Sequence, residues 1–162
     1  MARHDHEIRI TPSILDRLLD YEPDVSKEAP KSRVKSLNDL KSSVRRDLEW
    51  LLNTRCVVDQ IPERLEEVNN SLASYGLPDF TGISVKGMSE QNRLIGMLET
   101  AIRVFEPRLM DVNVTLEPIS NIERILRFRI DAQLKVDPIP EPITFDTVLQ
   151  MGSGEFEIRE KT

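Results

Sequence analysis

Pro107 constrains this sequence more than any other residue, because the hydrophobic period changes from helical to extended there. Before it, apolar residues recur three and four positions apart, at Leu94, Met97, Leu98, Ala101, Ile102 and Phe105. The proline ring removes a backbone donor and disfavours helical backbone angles at the preceding residue, Glu106. A central helix is therefore predicted to end at the charged sequence Glu106-Pro107-Arg108.

After the proline, two stretches alternate between apolar and polar residues, as half-buried strands do. The apolar rows are Met110, Val112, Val114 and Leu116 in the first, and Leu126, Phe128, Ile130, Ala132, Leu134 and Val136 in the second. Shorter alternating segments at 143–149 and 156–158 predict two further strands. Helices come first and strands last, so the expected class is α+β, with N-terminal helices packed on a C-terminal antiparallel sheet.

Two more helices are predicted upstream of the central one. The first runs from Ser36, where Asp39 completes a capping-box-like start, to about Asn53. Trp50 lies near its apolar stripe; core packing is the favoured role and a partner pocket is the alternative. The second runs over 62–72.

Two local signals lie between these helices and the central one. The segment 75–79, Tyr-Gly-Leu-Pro-Asp, is predicted to be a turn, because Gly76 tolerates a positive φ and Pro78 cannot prolong a helix. Ser89 is predicted to cap the central helix.

The N-terminal segment, residues 1–33, is predicted to be a docking helix and a linker, and residues 34–162 a single α+β domain. A short helix after Pro12 carries four apolar residues along one side, Ile14, Leu15, Leu18 and Leu19. So short a helix is not stable alone in water. It therefore docks on its own domain or on a partner, and the sequence favours neither. Residues 21–33 combine two prolines, dense charge and no periodicity, which is typical of a linker.

Composition bounds the environment of the chain. A net charge of −6 argues against nucleic acid as the main partner. The single cysteine, Cys56, allows no internal disulfide and favours a reducing compartment. No apolar run approaches the roughly 20 residues that a membrane span needs, and the N-terminus has no secretory pattern. A cytoplasmic location without a membrane span is expected.

Catalytic, cofactor-binding and metal sites are not predicted. The glycines form no phosphate-binding loop, and His4 and His6 lie in a polar N-terminus. Cys56 has no histidine nearby in sequence to act as a base. With 28 acidic residues, no carboxylate pair stands out as glycosidase-like.

The charged sequence Glu106-Pro107-Arg108 has two interpretations. A carboxylate at a helix C-terminus meets the negative end of the helix dipole, at a cost of roughly 0.3–1 kcal/mol, so a cation such as Arg103 or Arg108 should offset it. An internal ion pair that pins the turn is favoured by physics alone. The alternative is a rigidly displayed charge pair that docks on another protein, in which case Glu106→Ala or Arg108→Ala leaves folding nearly intact.

Three segments resemble a known family in order and spacing: Ser43–Arg55, Tyr75–Asp79 and Phe105–Leu109. They are similar to motifs of the TssE family of type VI secretion baseplate subunits. The second and third are shared with the lysozyme-like baseplate wedge proteins of contractile phage tails, and the first points to TssE. The resemblance extends from about Ile14 to Phe156.

The resemblance implies a non-enzymatic structural component of a cytoplasmic contractile injection machine. Its neighbours would be the wedge subunits TssF, TssG and TssK and the contractile sheath subunits, whose first ring it would join to the wedge as a sheath initiator. Glu106, Pro107 and Arg108 carry over as the wedge-contact site, and the helix at Ile14–Leu19 would be a second docking element. A lysozyme-like peptidoglycan hydrolase is the alternative.

Overall fold

The computed structural model describes residues 10, 12–19, 24, 33–56, 61–62, 64–79, 87–117, 125–150 and 153–160. The described helices are Ile14–Leu18 (α1), Arg33–Asn53 (α2), Glu66–Asn69 (α3) and Met88–Phe105 (α4), with a 3-10 turn at Leu72–Ser74. The strands are Leu109–Leu116 (β1), Ile125–Leu134 (β2), Glu141–Gln150 (β3) and Phe156–Glu160 (β4). This order confirms the α+β class with helices before the sheet.

The strands form one antiparallel sheet in the order β1-β2-β3-β4. The predicted inward rows of β2 and β3 are confirmed, because every second residue from Leu126 to Leu134 and from Ile143 to Leu149 is buried.

The predicted inward row of β1 is wrong at its first residue. A β-bulge lies between Met110 and Asn113, and Asp111 has a φ of 52°. The bulge shifts the alternation by one residue, so Leu109 is buried while Met110 pairs with the exposed Gln133.

One layer of helices covers one face of the sheet: α4 packs on β1, α2 packs on β4, and the two helices contact each other. Their apolar stripes and the inward sheet residues form a single core. Leu48, Leu98, Phe128 and Phe145 are buried at its centre. Burial of each such side chain contributes roughly 1.5–3 kcal/mol, so the helix-to-sheet contact is the main source of stability.

Predicted helix starts differ from the structure. α2 begins at Arg33, so Ser36 and Asp39 lie inside it and do not start it. α4 begins after Gly87, and the predicted cap Ser89 lies in the first turn.

The predicted helix over 62–72 is two short pieces. Ser71 accepts a hydrogen bond from the Ala73 backbone and starts the 3-10 turn. Its local hydrogen bond competes with the helical pattern and so ends the regular helix.

Most of the N-terminal predictions lie outside the described residues. These include His4 and His6 and nearly all of the predicted linker at 21–33. The division at residue 33 therefore stays a prediction. Among the helices that the structure describes, none has the length and apolar character of a membrane span.

Candidate functional site

The turn between α4 and β1 is held by an ion pair inside the chain. Glu106 caps the end of α4 and is 3% exposed. Arg108 donates from Nε to Glu106 Oε1 at 2.6 Å, and its Nη2 donates to Oε2. This is the internal ion pair of the first interpretation, and Arg108 is the offsetting cation. Glu106 does not display its charge to solvent, whereas Pro107 is exposed and the Arg108 side chain is 24% exposed.

Arg108 also ties this turn to α2. Its Nη2 donates to Asp47 Oδ2 at 2.6 Å and its Nη1 donates to Ser43 Oγ at 3.1 Å, two residues one helical turn apart. Partial burial works to lower the pKa of Arg108, but the hydrogen bonds and charges of Glu106 and Asp47 raise it above its ordinary value. The planar guanidinium thus joins α2, α4 and β1 at one point.

A second guanidinium extends the network along α2. Arg46 donates from Nε and Nη2 to Asp47 Oδ1 at 2.9 and 2.8 Å, and from Nη2 to Asp16 Oδ1 at 2.9 Å. Burial works to lower the pKa of Arg46, but both carboxylates together raise it. The guanidinium also lies over the Trp50 ring at 5.1 Å, within cation–π range.

Asp16 joins the N-terminal helix to this network. It completes a capping box with Ser13 at the start of α1 and accepts a hydrogen bond from Ser43 Oγ at 2.6 Å. Partial burial works to raise the pKa of Asp16, but hydrogen bonds from Ser13, Ser43 and Arg46 outweigh it and lower the pKa to about 2. The helix therefore docks on its own domain through a charged residue.

The apolar side of α1 remains exposed. Ile14 and Leu18 are 77% and 76% exposed, and Leu15 and Leu19 are also exposed. Of the two alternatives for this helix, docking on its own domain is observed, but the four apolar residues do not carry it. They form an apolar ridge on the surface, which is named here the α1 ridge.

The second family-like segment packs against the same region. Gly76 has a φ of 107°, and a Cβ at this position would lie 2.5 Å from the Thr54 carbonyl oxygen, so a side chain has no room. Leu77 N donates to Thr54 O at 2.9 Å. The Tyr75 ring meets Phe105 edge-on with centroids 5.2 Å apart. The predicted turn thus locks the end of α2 to the end of α4.

The three segments therefore meet at one place, which is named here the corner: the end of α4, the α2 face that carries Asp47, and the 75–79 turn. A groove of about 380 Å³ runs along the corner, lined by Leu15, Trp50, Tyr75, Phe105, Pro107 and Arg108 among others. Trp50 is 52% exposed on this groove, so the prediction that it packs in the core is wrong. Burial and the neighbouring Asp47 and Glu106 carboxylates raise the pKa of Tyr75.

The side chains at the corner are suited to binding another molecule in the groove. Carboxylates bound by guanidinium groups fix the backbone, while apolar rings and a partly exposed guanidinium face the groove. Within the described ranges, no group of three His, Cys, Asp or Glu side chains is placed to hold a metal ion. Sequence reasoning missed Ser43, Asp47 and Arg46 as members of the site, although the first family-like segment contains all three.

The family model described as baseplate wedge protein gp25 matches residues 38–139, which is more than half of the chain. That range contains all three segments that meet at the corner. No curated protein matches the chain. The match confirms the resemblance at the level of the family to which TssE subunits belong. The chain belongs to the family of baseplate wedge protein gp25, whose members are structural proteins of phage-tail-like baseplates.

Proposed function

We propose that this chain is the TssE subunit of a type VI secretion baseplate, where it joins the wedge to the first sheath ring and initiates sheath polymerisation. The family match supports the baseplate role, and the resemblance of the segment 43–55 supports type VI secretion over a phage tail. The observation that carries the proposal is the convergence of three distant segments at one rigid, partly exposed corner. In this role the protein would be cytoplasmic and would have no enzymatic activity.

The wedge contact is assigned to Glu106, Pro107 and Arg108, with TssF, TssG and TssK as the partners. Pro107 and the exposed part of Arg108 touch the partner, and buried Glu106 acts by holding the guanidinium in place. A bidentate pair fixes the orientation of a guanidinium better than a single hydrogen bond does. The corner thus presents a preset donor next to an apolar groove.

The second docking element is the α1 ridge, Ile14, Leu15, Leu18 and Leu19. Exposed leucine and isoleucine on one helix face gain free energy when a partner covers them, about 25 cal/mol for each Å² removed from water. The ridge points away from its own domain because Asp16, on the other side of the helix, faces Ser43 and Arg46.

The sheath contact is assigned to the outer edge of β4. At the other edge, Glu99 of α4 accepts a hydrogen bond from the Val114 backbone N–H inside β1, whereas the side-chain contact on β4 lies at the first residue of the strand. On β4, the Asn53 side chain binds both backbone groups of Phe156, at 2.9 and 2.8 Å. Alternation then turns the N–H and C=O groups of Ile158 and Glu160 outward, where no described side chain bonds them. An extended arm of a sheath subunit can add a strand there.

Two variants with matched controls test the α1 ridge and the β4 edge in a type VI strain that lacks its own subunit. Ile14→Ser with Leu18→Ser should abolish capture of TssF, TssG and TssK and prevent sheath assembly, whereas Arg17→Ser on the same helix should not. Glu160→Pro removes an outward N–H without breaking the β3–β4 ladder, so it should spare wedge capture and block sheath assembly. Glu160→Ala should spare both.

Melting of each purified variant shows that the fold is intact. Normal sheaths with both the ridge and the Glu160→Pro variants would contradict the proposal. Cleavage of peptidoglycan by the purified chain would also contradict it.

A further inference from the structure

Asp16 occupies a built carboxylate site on α2. Ser43 is 5% exposed, and its Oγ donates to Asp16 Oδ2, while Arg46 Nη2 donates to Oδ1. The two oxygens of one carboxylate are thus bound by two different side chains that belong to the body of the protein. Ser43 and Arg46 together are named here the cradle.

Arg108 presets the cradle. A serine hydroxyl has one proton and two lone pairs. Arg108 Nη1 donates to Ser43 Oγ at 3.1 Å, and Arg46 Nη2 lies 3.5 Å from the same oxygen. Because these guanidinium groups donate to the lone pairs of the Ser43 hydroxyl, its single proton is directed towards the Asp16 carboxylate. The ion pair between Glu106 and Arg108 therefore orients a donor for a carboxylate as well as pinning the turn.

The helix that now fills the cradle, α1, is bound weakly. α1 has five residues, and none of them is buried. A helix of this length is not stable in isolation, so its docking depends on the contacts of Asp16 with Ser43 and Arg46. Only 13 residues separate Leu19 from Arg33, so the tether keeps α1 near the cradle at an effective concentration on the order of 1 mM.

We infer that the cradle is an exchange site for an acidic side chain of a wedge partner, and that Asp16 fills it in the free protein. The partner segment has the chemistry of α1 itself: a carboxylate flanked by apolar residues at helical spacing. When it enters, α1 leaves the cradle, and the exposed α1 ridge can then bind at a second place. If α1 is docked about nine-tenths of the time at an effective concentration of about 1 mM, its intrinsic dissociation constant is about 0.1 mM, so a partner segment with a dissociation constant of about 1 μM binds about a hundredfold more tightly.

The exchange rests on the proposed docking role only for the identity of the partner, so it is tested on the purified full chain alone. The probe is a capped peptide with the sequence of residues 12–19, Pro-Ser-Ile-Leu-Asp-Arg-Leu-Leu, added at up to about 10 mM, roughly tenfold above the effective concentration of the tether. Binding is read from the NMR signals of the Arg46 Nε–H and of the Trp50 indole N–H. The host proteins are the wild type, Asp16→Asn, and Arg17→Gln as the matched control.

The peptide is expected to shift both signals in the Asp16→Asn chain. In the wild type and in Arg17→Gln the apparent affinity should be about tenfold lower, if α1 is docked about nine-tenths of the time. A peptide with Asn in place of Asp should bind the Asp16→Asn chain about 10- to 100-fold more weakly, because it lacks the charge-assisted hydrogen bonds. Adding Ser43→Ala to the Asp16→Asn host should likewise weaken the carboxylate peptide.

Equal binding of the Asp and Asn peptides would overturn the carboxylate site and leave only apolar docking. Equal binding to wild type and to Asp16→Asn would show that the peptide binds elsewhere, which also overturns it. No shift in the Asp16→Asn chain would mean that the cradle accepts no external carboxylate. None of these results changes the sheath-assembly readout, so a failure here is distinct from a failure of the proposed function.

Discussion

Replacing Arg108 by methionine tests whether the corner is pinned by its ion pair. The change keeps the apolar stem and removes the guanidinium, which leaves the nearly buried Glu106 carboxylate without its bidentate donor. Breaking a buried ion pair from one side costs about 3–5 kcal/mol. Because Asp47 also loses a donor, we expect a loss near the upper part of that range at neutral pH.

The opposite change should cost less. Glu106→Gln keeps the shape and one acceptor, and Arg108 retains Asp47 and some contact with water. We expect a loss of roughly 1.5–3 kcal/mol, the range for hydrogen bonds to charged groups. Arg103→Gln, on the exposed last turn of the same helix, is the matched control and should change the free energy of unfolding by less than about 0.5 kcal/mol.

Urea unfolding followed by circular dichroism at neutral pH measures all three variants, and the double variant completes a mutant cycle. Losses below about 0.5 kcal/mol for both single variants would refute the pinned corner. Such a result would restore the interpretation in which Glu106 and Arg108 are a rigidly displayed charge pair whose removal leaves folding nearly intact.

Three further changes test the parts around the corner. Gly76→Ala should lower the free energy of unfolding by at least about 1–3 kcal/mol in urea, because its φ is positive and the Thr54 carbonyl blocks the added carbon. Gly96→Ala, which adds a carbon in open space on α4, should raise it by about 0.5–1 kcal/mol. Asn53→Ala should speed hydrogen exchange along β4, because two backbone hydrogen bonds are lost at about 1 kcal/mol each. The pKa of Asp16 is lowered to about 2 in the native state, so the stabilisation that its carboxylate gives is present above the pKa of the unfolded chain and lost below the native pKa. Undocking of α1 should therefore begin as the pH falls below about 4 and be complete near 2, and it is read from faster hydrogen exchange of the α1 amides.

The periodic elements could be predicted from the sequence because each carries its own repeating signal. The end of α4 at Glu106 follows from one proline, and the inward rows of β2 and β3 follow from strict alternation. The bulge in β1 could not be predicted, because one extra residue in a left-handed conformation, Asp111, does not alter the pattern of apolar and polar residues in the sequence.

The composition of the corner could not be predicted in full because its contacts join distant parts of the chain. Arg108 meets Ser43 and Asp47 more than 60 residues away, and Asp16 meets Arg46 across 30 residues. The helix dipole indicated that Glu106 needs a cation, but not that this cation is shared with α2. The exposure of Trp50 likewise depends on where other segments leave a groove.

Strand addition at β4 is tested most directly by hydrogen exchange of two backbone amides. In the free protein the outward N–H groups of Ile158 and Glu160 should exchange rapidly, whereas the inward amide of Glu157, which faces β3, should be protected. On addition of purified sheath subunits, protection of Ile158 and Glu160 is expected, with no change at Leu116 of β1. Unchanged exchange at both β4 amides, or protection at the β1 edge instead, would contradict the account.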